Sequence, residues 1–269
     1  MQPLLRVENL VKRYAAGRSV GSNANLAALD GVSLSIAPRT TLALVGESGS
    51  GKSTLALCIA CLESPTSGNI LFEGTDIAAL SENERRSVRP QIQLVFQDPA
   101  SSLNPRWTAL EIISEPLLVQ RRFTQPQRDA AAYALLERVA LPRKLAARCA
   151  DELSGGQKQR LAIARALALE PKLIILDEAL SALDCSVQAQ ISNLLLELQS
   201  SLGLTYLFIT HDFAMAAHLA DQIAVMNCGR IVECGAPEKI LRSPSHQATR
   251  ALLAATPSFA ETEADLVNS

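Results

Sequence analysis

The sequence predicts an α/β fold built on a parallel or mixed sheet. Three observations carry that expectation. Short apolar runs at 41–45, 91–96, 173–176 and 205–209 have the length of buried strands. Between them apolar residues recur at three- and four-residue spacing, as on helices: Leu110, Ile113 and Leu117, then Ala131, Leu135, Leu136 and Val139. Strands separated by helices imply parallel or mixed pairing, because a parallel partner needs a crossover connection.

Residues 4–11 mix polar and apolar side chains and read as an edge strand leading to Tyr14. Gly, Ser and Asn dominate 15–25, a predicted surface loop. Val32, Leu34 and Ile36 alternate with polar neighbours, which predicts a half-buried strand ended by Pro38. The 41–45 run is apolar throughout except for its leading threonine and reads as a central strand. It runs straight into a glycine-rich turn and a helix over 52–62. The helical periodicity of 108–141 is bounded by Pro105 and Pro142 and reads as an insert. Beyond Pro257 the last residues, 258–269, form an acidic tail expected to be loose.

Composition narrows the function. Over 269 residues, 48% hydrophobic and 19% charged side chains argue for a packed globular chain. A net charge of -2 leaves no footprint for nucleic acid, and 4% aromatic residues leave few bases a stacking platform, so no nucleic-acid partner is expected. No apolar run approaches the roughly 18 residues that cross a bilayer. The first ten residues lack the apolar core of a secretory signal, which predicts a cytoplasmic protein. Six scattered cysteines are expected to stay as thiols. Cys58 and Cys61 form a C-x-x-C on the helix after the glycine turn, where packing accounts for them without a metal.

Chemistry concentrates in five places. Gly46-Glu47-Ser48-Gly49-Ser50-Gly51-Lys52-Ser53-Thr54 matches G-x-x-x-x-G-K-[ST] between a predicted strand and helix. Glycines let backbone N–H groups turn inward around phosphate oxygens, and the helix start adds its positive dipole end. Lys52 would reach the β- and γ-phosphates, and the Ser53 hydroxyl would ligate Mg²⁺. Further on, Leu153-Ser154-Gly155-Gly156-Gln157 opens a second helix running through Ala168. One chain with two phosphate-directed helix starts, about a hundred residues apart, makes sense if each faces a different nucleotide in a dimer. The 173–176 strand then delivers Asp177 and Glu178 at its C-terminal end, where α/β sheets place ligands. Asp177 would hold Mg²⁺ through water, and Glu178 would polarise the attacking water. Gln97 and His211 each follow a predicted strand; Gln97 could contact Mg²⁺ and the water, and His211 the γ-phosphate.

Taken in chain order, Gly46 to Thr54, Gln97, the Leu-Ser-Gly-Gly-Gln at 153–157, Asp177-Glu178, Ser181-Ala182-Leu183-Asp184 and His211 resemble the ATP-binding cassette (ABC) ATPase domain. The resemblance implies a P-loop NTPase of ABC ATPase type: a mixed sheet core, an N-terminal antiparallel β subdomain and a helical insert. It covers residues 4–257, with a helical subdomain about 98–165. Gln97-Asp98-Pro99-Ala100-Ser101-Ser102-Leu103-Asn104-Pro105-Arg106, Ser186-Val187-Gln188-Ala189-Gln190 and 249–255 look like the dipeptide, oligopeptide and nickel importer branch.

That branch implies a peripheral subunit on the cytoplasmic face of the inner membrane. It would use ATP and Mg²⁺ to drive an integral-membrane permease fed by an extracytoplasmic solute-binding protein. Two such ATPase subunits, identical or related, sandwich two ATPs, so Ser154, Gly155, Gly156 and Gln157 would contact the partner's nucleotide. Tyr14 would stack on adenine and Asp184 would lie at the dimer seam. Peptides or a related small solute such as nickel would be the cargo. An alternative is an accessory ATPase of a soluble assembly such as carbon–phosphorus lyase; a single cassette without a heptad arm speaks against a nucleic-acid ABC protein. The chain departs from the branch at Ala179, Leu180 and Cys185, at Cys149-Ala150-Asp151 and at His246-Gln247-Ala248-Thr249, none of which removes a catalytic side chain. No cysteine cluster closes the chain, so no iron–sulfur centre is expected.

Overall fold

A computed structural model describes residues 2–14, 26–120 and 123–255. The predicted loop at 15–25 and the acidic tail at 258–269 lie outside the described residues. The chain opens with strands β1 (Leu5–Tyr14), β2 (Leu26–Ile36) and β3 (Thr41–Val45) and helix α1 (Lys52–Ile59). Strands β4 (Ser67–Phe72) and β5 (Thr75–Asp76) and helix α2 (Glu82–Val88) follow. Next come β6 (Ile92–Val95), α3 (Pro99–Ser102), α4 (Ala109–Val119), α5 (Gln125–Arg138), α6 (Gly155–Leu167), β7 (Leu173–Asp177) and α7 (Cys185–Leu202). The last elements are β8 (Thr205–Thr210), α8 (Phe213–Leu219), β9 (Gln222–Asn227), β10 (Arg230–Gly235), α9 (Pro237–Arg242) and α10 (Gln247–Ala254). They divide into two compact units, one of residues 1–86 and 205–269 and one of residues 87–204.

The first unit holds an antiparallel sheet in the order β2-β1-β4-β5 and a mixed array β10-β9-β3-β8. In the latter β3 runs parallel to both β8 and β9, and β10 returns antiparallel to β9. All five β3 residues are buried, as a strand between two partners requires, and all six of β8 are buried as well. Residues 4–11 were expected at an edge, and the structure corrects this: β1 pairs with β2 on one side and β4 on the other. Its burial is hidden in the sequence by a bulge at Asn9, where φ is 47° and the register shifts on both faces. The strand predicted around Val32 begins earlier, at Leu26, and α1 ends at Ile59 rather than at 62. Cys61 therefore lies past the helix with φ at 57°, and both it and Cys58 are buried.

Glu233 on β10 fastens the C-terminal helix to this unit. Its carboxylate accepts the N–H of Ser245 at 2.8 Å, the Ser245 hydroxyl at 2.7 Å and the N–H of His246 at 3.1 Å. Burial alone would push the carboxyl's pKa up; the Ser245 and His246 donors outweigh it and hold it at about 2, below the ordinary 4.5. A depressed carboxylate stabilises the fold above its unfolded pKa and loses that contribution as pH falls toward the folded one. Glu233→Gln is therefore expected to lower the melting temperature at pH 7. The gap to wild type should narrow between about pH 4.5 and pH 2 in thermal melts. A gap that stays constant across that window would refute the anchor.

The second unit sets β6 parallel to β7 beside the helices α4, α5 and α6, which pack on one another. Helix α4 starts with a capping box: Thr108 accepts from Glu111 N–H, and the Glu111 carboxylate takes the Thr108 N–H. The same pattern of hydroxyl and Gln127 starts α5 at Thr124. Arg165 on α6 ties to Glu115 on α4 at 2.7 Å. Among the described residues no helix is long and apolar enough to cross a membrane.

Candidate functional site

In the first unit, β3 ends at Val45 and the glycine turn begins at once. Gly49 and Gly51 take φ of 79° and 109°, values that ordinary side chains rarely adopt. Gly51 caps α1, and the Leu55 N–H closes the first helical turn on the Gly51 carbonyl at 3.0 Å. Ser50 N–H donates to Glu47 C=O at 3.2 Å, which curls the loop. Lys52 is 4% exposed, and its amine donates at 2.8 Å to the carbonyls of both Gly46 and Glu47. Ser53 and Ser48 are exposed and Thr54 is half-buried. The geometry is a glycine turn that runs into a helix start, with a lysine amine folded onto the loop's own carbonyls, an arrangement suited to a polyphosphate.

His211 stands exposed just beyond β8, and the Asp212 carboxylate caps α8 by accepting from Ala214 N–H at 2.7 Å. Tyr14 ends β1, 38% exposed, with the Lys12 ammonium 5.0 Å from its ring centre. Lys12 also pairs with Glu63 at 2.7 Å, so the ring is held from one side. Lys12 and Tyr14 stand two residues apart on β1, on one face of the strand, and Glu63 just past α1 holds the ammonium there.

In the second unit, Ser154 caps α6 and Gln157 completes a capping box, its side chain accepting the Ser154 N–H at 3.0 Å. Gly156 is needed for packing: a Cβ there would lie 2.7 Å from Val187 Cγ1 on α7. The start of α7 therefore presses against the start of α6. Asp184 caps α7, accepting from the Val187 N–H at 2.9 Å and the Ser186 hydroxyl at 2.8 Å. Those donors, the Val187 N–H foremost, hold its pKa below the ordinary carboxylate value. Asp177 closes β7 half-buried, and Gln97 is exposed two residues past β6. Glu178 has φ of 46°, a left-handed conformation costly for a residue with a side chain. Its carbonyl accepts the N–H of Ser181 at 3.1 Å and the Ser181 hydroxyl at 2.9 Å, which holds the turn. Backbone strain at a carboxylate one residue past a strand is a site feature that no sequence signal announces.

The candidate residues thus divide between the units. Tyr14, 46–54 and His211 belong to the first, and Gln97, 154–157, Asp177, Glu178 and Asp184 to the second. Among the described residues no three His, Cys, Asp or Glu side chains gather as a metal centre.

Comparison with known proteins adds four findings. The sequence profile of the family described as "ABC transporter" matches residues 29–181. The chain is 50% identical over 256 residues to a probable peptide ABC transporter ATP-binding protein of Sinorhizobium fredii, covering 94% of this chain and 72% of that one. It is 48% identical to the oligopeptide transport ATP-binding protein OppD of Mycobacterium bovis, covering 94% of this chain but only 42% of that longer protein. A solved dimeric ATP-binding cassette in a post-hydrolysis state with ADP and Pi superposes with a TM-score of 0.77 at 32% identity, over 87% of this chain and 98% of that one.

Proposed function

This chain belongs to the ABC transporter family of ATPases, and from that premise we propose that it hydrolyses ATP to drive import of peptides through a separate membrane permease. The observation that carries the reading is the pair of glycine helix starts on one chain, at 46–54 and at 154–156. A cassette with both needs a second cassette to complete each site, which the dimeric solved relative supports. The peptide cargo rests on relatives at 48–50% identity described as peptide and oligopeptide transport ATP-binding proteins, which favour transport over the soluble-complex alternative.

In this proposal residues 4–257 form the ATPase domain, with a helical subdomain about 98–165. The loop N–H groups and Lys52 bind the β- and γ-phosphates of ATP, and Tyr14 stacks on adenine. The Lys52 amine would exchange its Gly46 and Glu47 carbonyls for phosphate oxygens. Glu178 accepts a proton from the attacking water, Gln97 orients that water, and His211 donates to the γ-phosphate. Ser154, Gly155, Gly156 and Gln157 serve the partner's nucleotide, and Asp184 lies at the seam.

Mg²⁺ fits the chemistry of the donors: the Ser53 hydroxyl, the Gln97 amide oxygen and the Asp177 carboxylate are hard oxygens, few in number. Such a set suits a cation held largely through substrate phosphates, where it would neutralise charge developing on them. The permease would seat in a groove of about 260 Å³ in the second unit, lined by Val95, Phe96, Leu103, Pro116 and Val119. Phe96 and Val119 are exposed there, 41% and 70%. The subunit would sit at the cytoplasmic face of the inner membrane, with the solute-binding protein on the far side.

The test is co-purification from membranes. A tagged chain should bring down an integral-membrane permease, and ATP turnover in the reconstituted complex should rise with peptide-loaded binding protein. Recovery only with soluble partners would overturn the transport reading and leave the ATPase one standing.

A further inference from the structure

The hairpin of β9 and β10 meets the phosphate loop through its backbone and through the Met226 side chain, whose methyl lies beside Gly51. Its two-residue turn, Cys228-Gly229, has φ of 46° and 77°, positive at both positions as a mirror-image turn requires. From that turn the Gly229 N–H donates to the Ser50 carbonyl at 2.9 Å. A trans peptide points its C=O and its N–H in opposite directions. Fixing the Ser50 carbonyl on the hairpin therefore aims the Gly51 N–H away from the hairpin and fixes the peptide plane of the loop's last turn.

Two close approaches show how tightly this side of the loop is confined. A Cβ at Gly46 would lie 2.2 Å from the Met226 carbonyl oxygen at the end of β9. A Cβ at Gly51 would lie 2.4 Å from the Ala28 carbonyl oxygen on β2. The first and last glycines of the G-x-x-x-x-G-K pattern are thus required by backbone packed on the outside of the loop.

The hairpin is itself pinned to β2. The Gly229 carbonyl accepts the Asp30 N–H at 2.9 Å, and Arg230 places Nε and Nη2 at 2.9 Å and 2.6 Å from one Asp30 carboxylate oxygen. We propose that this hairpin is a clamp that preorganises the phosphate loop, with Gly229, Asp30 and Arg230 as positioning residues for nucleotide binding. The inference rests on the reading of 46–54 as the loop that holds ATP. A loop already in its binding shape spares the ordering cost that a loose one meets when ligand arrives. None of the clamp residues is offered as touching nucleotide, so the loss should fall on affinity and not on the chemical step.

The test uses the purified full chain and two variants of an exposed pair, Arg230→Ala and Asp30→Ala, whose side chains are 67% and 35% exposed in the wild type. Each should raise the Kd for both ADP and ATP about three- to ten-fold. KM for ATP should rise in parallel while kcat at saturation holds. The swapped pair Asp30→Arg with Arg230→Asp should recover most of the affinity. Gly229→Ala, whose Cβ would sit 3.0 Å from the Ala28 carbonyl oxygen at a positive φ, should lose more. Wild-type Kd in all three single variants, with or without a lower melting temperature, would reduce the hairpin to scaffolding and overturn the proposal. So would a fall in kcat at unchanged KM. Lys52→Ala serves as the reference: if it too binds ATP like wild type, the reading of the loop itself fails, and the clamp with it.

Discussion

Lys52→Ala is expected to bring ATP hydrolysis to background and to weaken ATP binding at least ten-fold while the chain stays folded. The structure sets the amine 2.8 Å from two carbonyls of its own loop, 4% exposed, so it waits at the helix start. There its positive charge adds to the positive end of the helix dipole. A preorganised donor aimed at charge that develops in a transferring phosphoryl group is worth about a hundred- to a thousand-fold in rate. Losing a ground-state contact to the β- and γ-phosphates adds a loss of affinity. The substitution also frees two carbonyls, so the measurement pairs turnover and nucleotide Kd with a thermal melt. Retained turnover in a folded variant would remove 46–54 from the proposed site. Lys52→Arg separates charge from shape: it keeps the charge, but a planar fork cannot reproduce the compact ammonium between two carbonyls, so little activity should return.

The fold was legible where local chemistry and burial agree. The strand at 41–45 is apolar beyond its first residue, feeds glycines that alone tolerate φ near 79° and 109°, and is followed by an uninterrupted helical stretch. Each level points the same way. Legibility failed where a backbone irregularity breaks a period. Asn9 in a left-handed bulge disrupts the alternation of β1, so a strand with partners on both sides looked like an edge. The β9–β10 hairpin went unread because its turn is Cys-Gly rather than the Asn-Gly or Asp-Gly that announces such loops. Its contact with Ser50 joins residues far apart in the chain, which no local pattern encodes. Gln159 behaves alike: it is fully buried on α6, in a stretch that reads as a polar helix start. In the candidate site the residue types were visible, but the conformation of Glu178 was not.

Glu178 carries the second large effect. At φ of 46° the residue costs on the order of 1–2 kcal/mol relative to ordinary backbone, offset by the Ser181 N–H and hydroxyl on its carbonyl. Strain of this kind aims a side chain where a relaxed strand end would not. Glu178→Gln keeps that backbone demand and nearly the same volume but removes the proton acceptor. Hydrolysis should therefore fall about a hundred- to ten-thousand-fold with ATP binding intact. If ATP joins two cassettes and hydrolysis parts them, the variant should accumulate as an ATP-bound dimer. Size-exclusion with light scattering under ATP would then report twice the monomer mass, against a monomer in ADP. Glu178→Gly serves as the backbone control. It relieves the left-handed cost, so its melting temperature should match or exceed that of Glu178→Ala, while both are equally dead in turnover. A Glu178→Gln chain that stays monomeric under ATP, or that turns over like wild type, would strip the residue of its role as base and leave the strained turn unexplained. Accumulated dimer with turnover lost would assign proton transfer to this carboxylate, because it is the only group changed while the strained turn that presents it stays as it was.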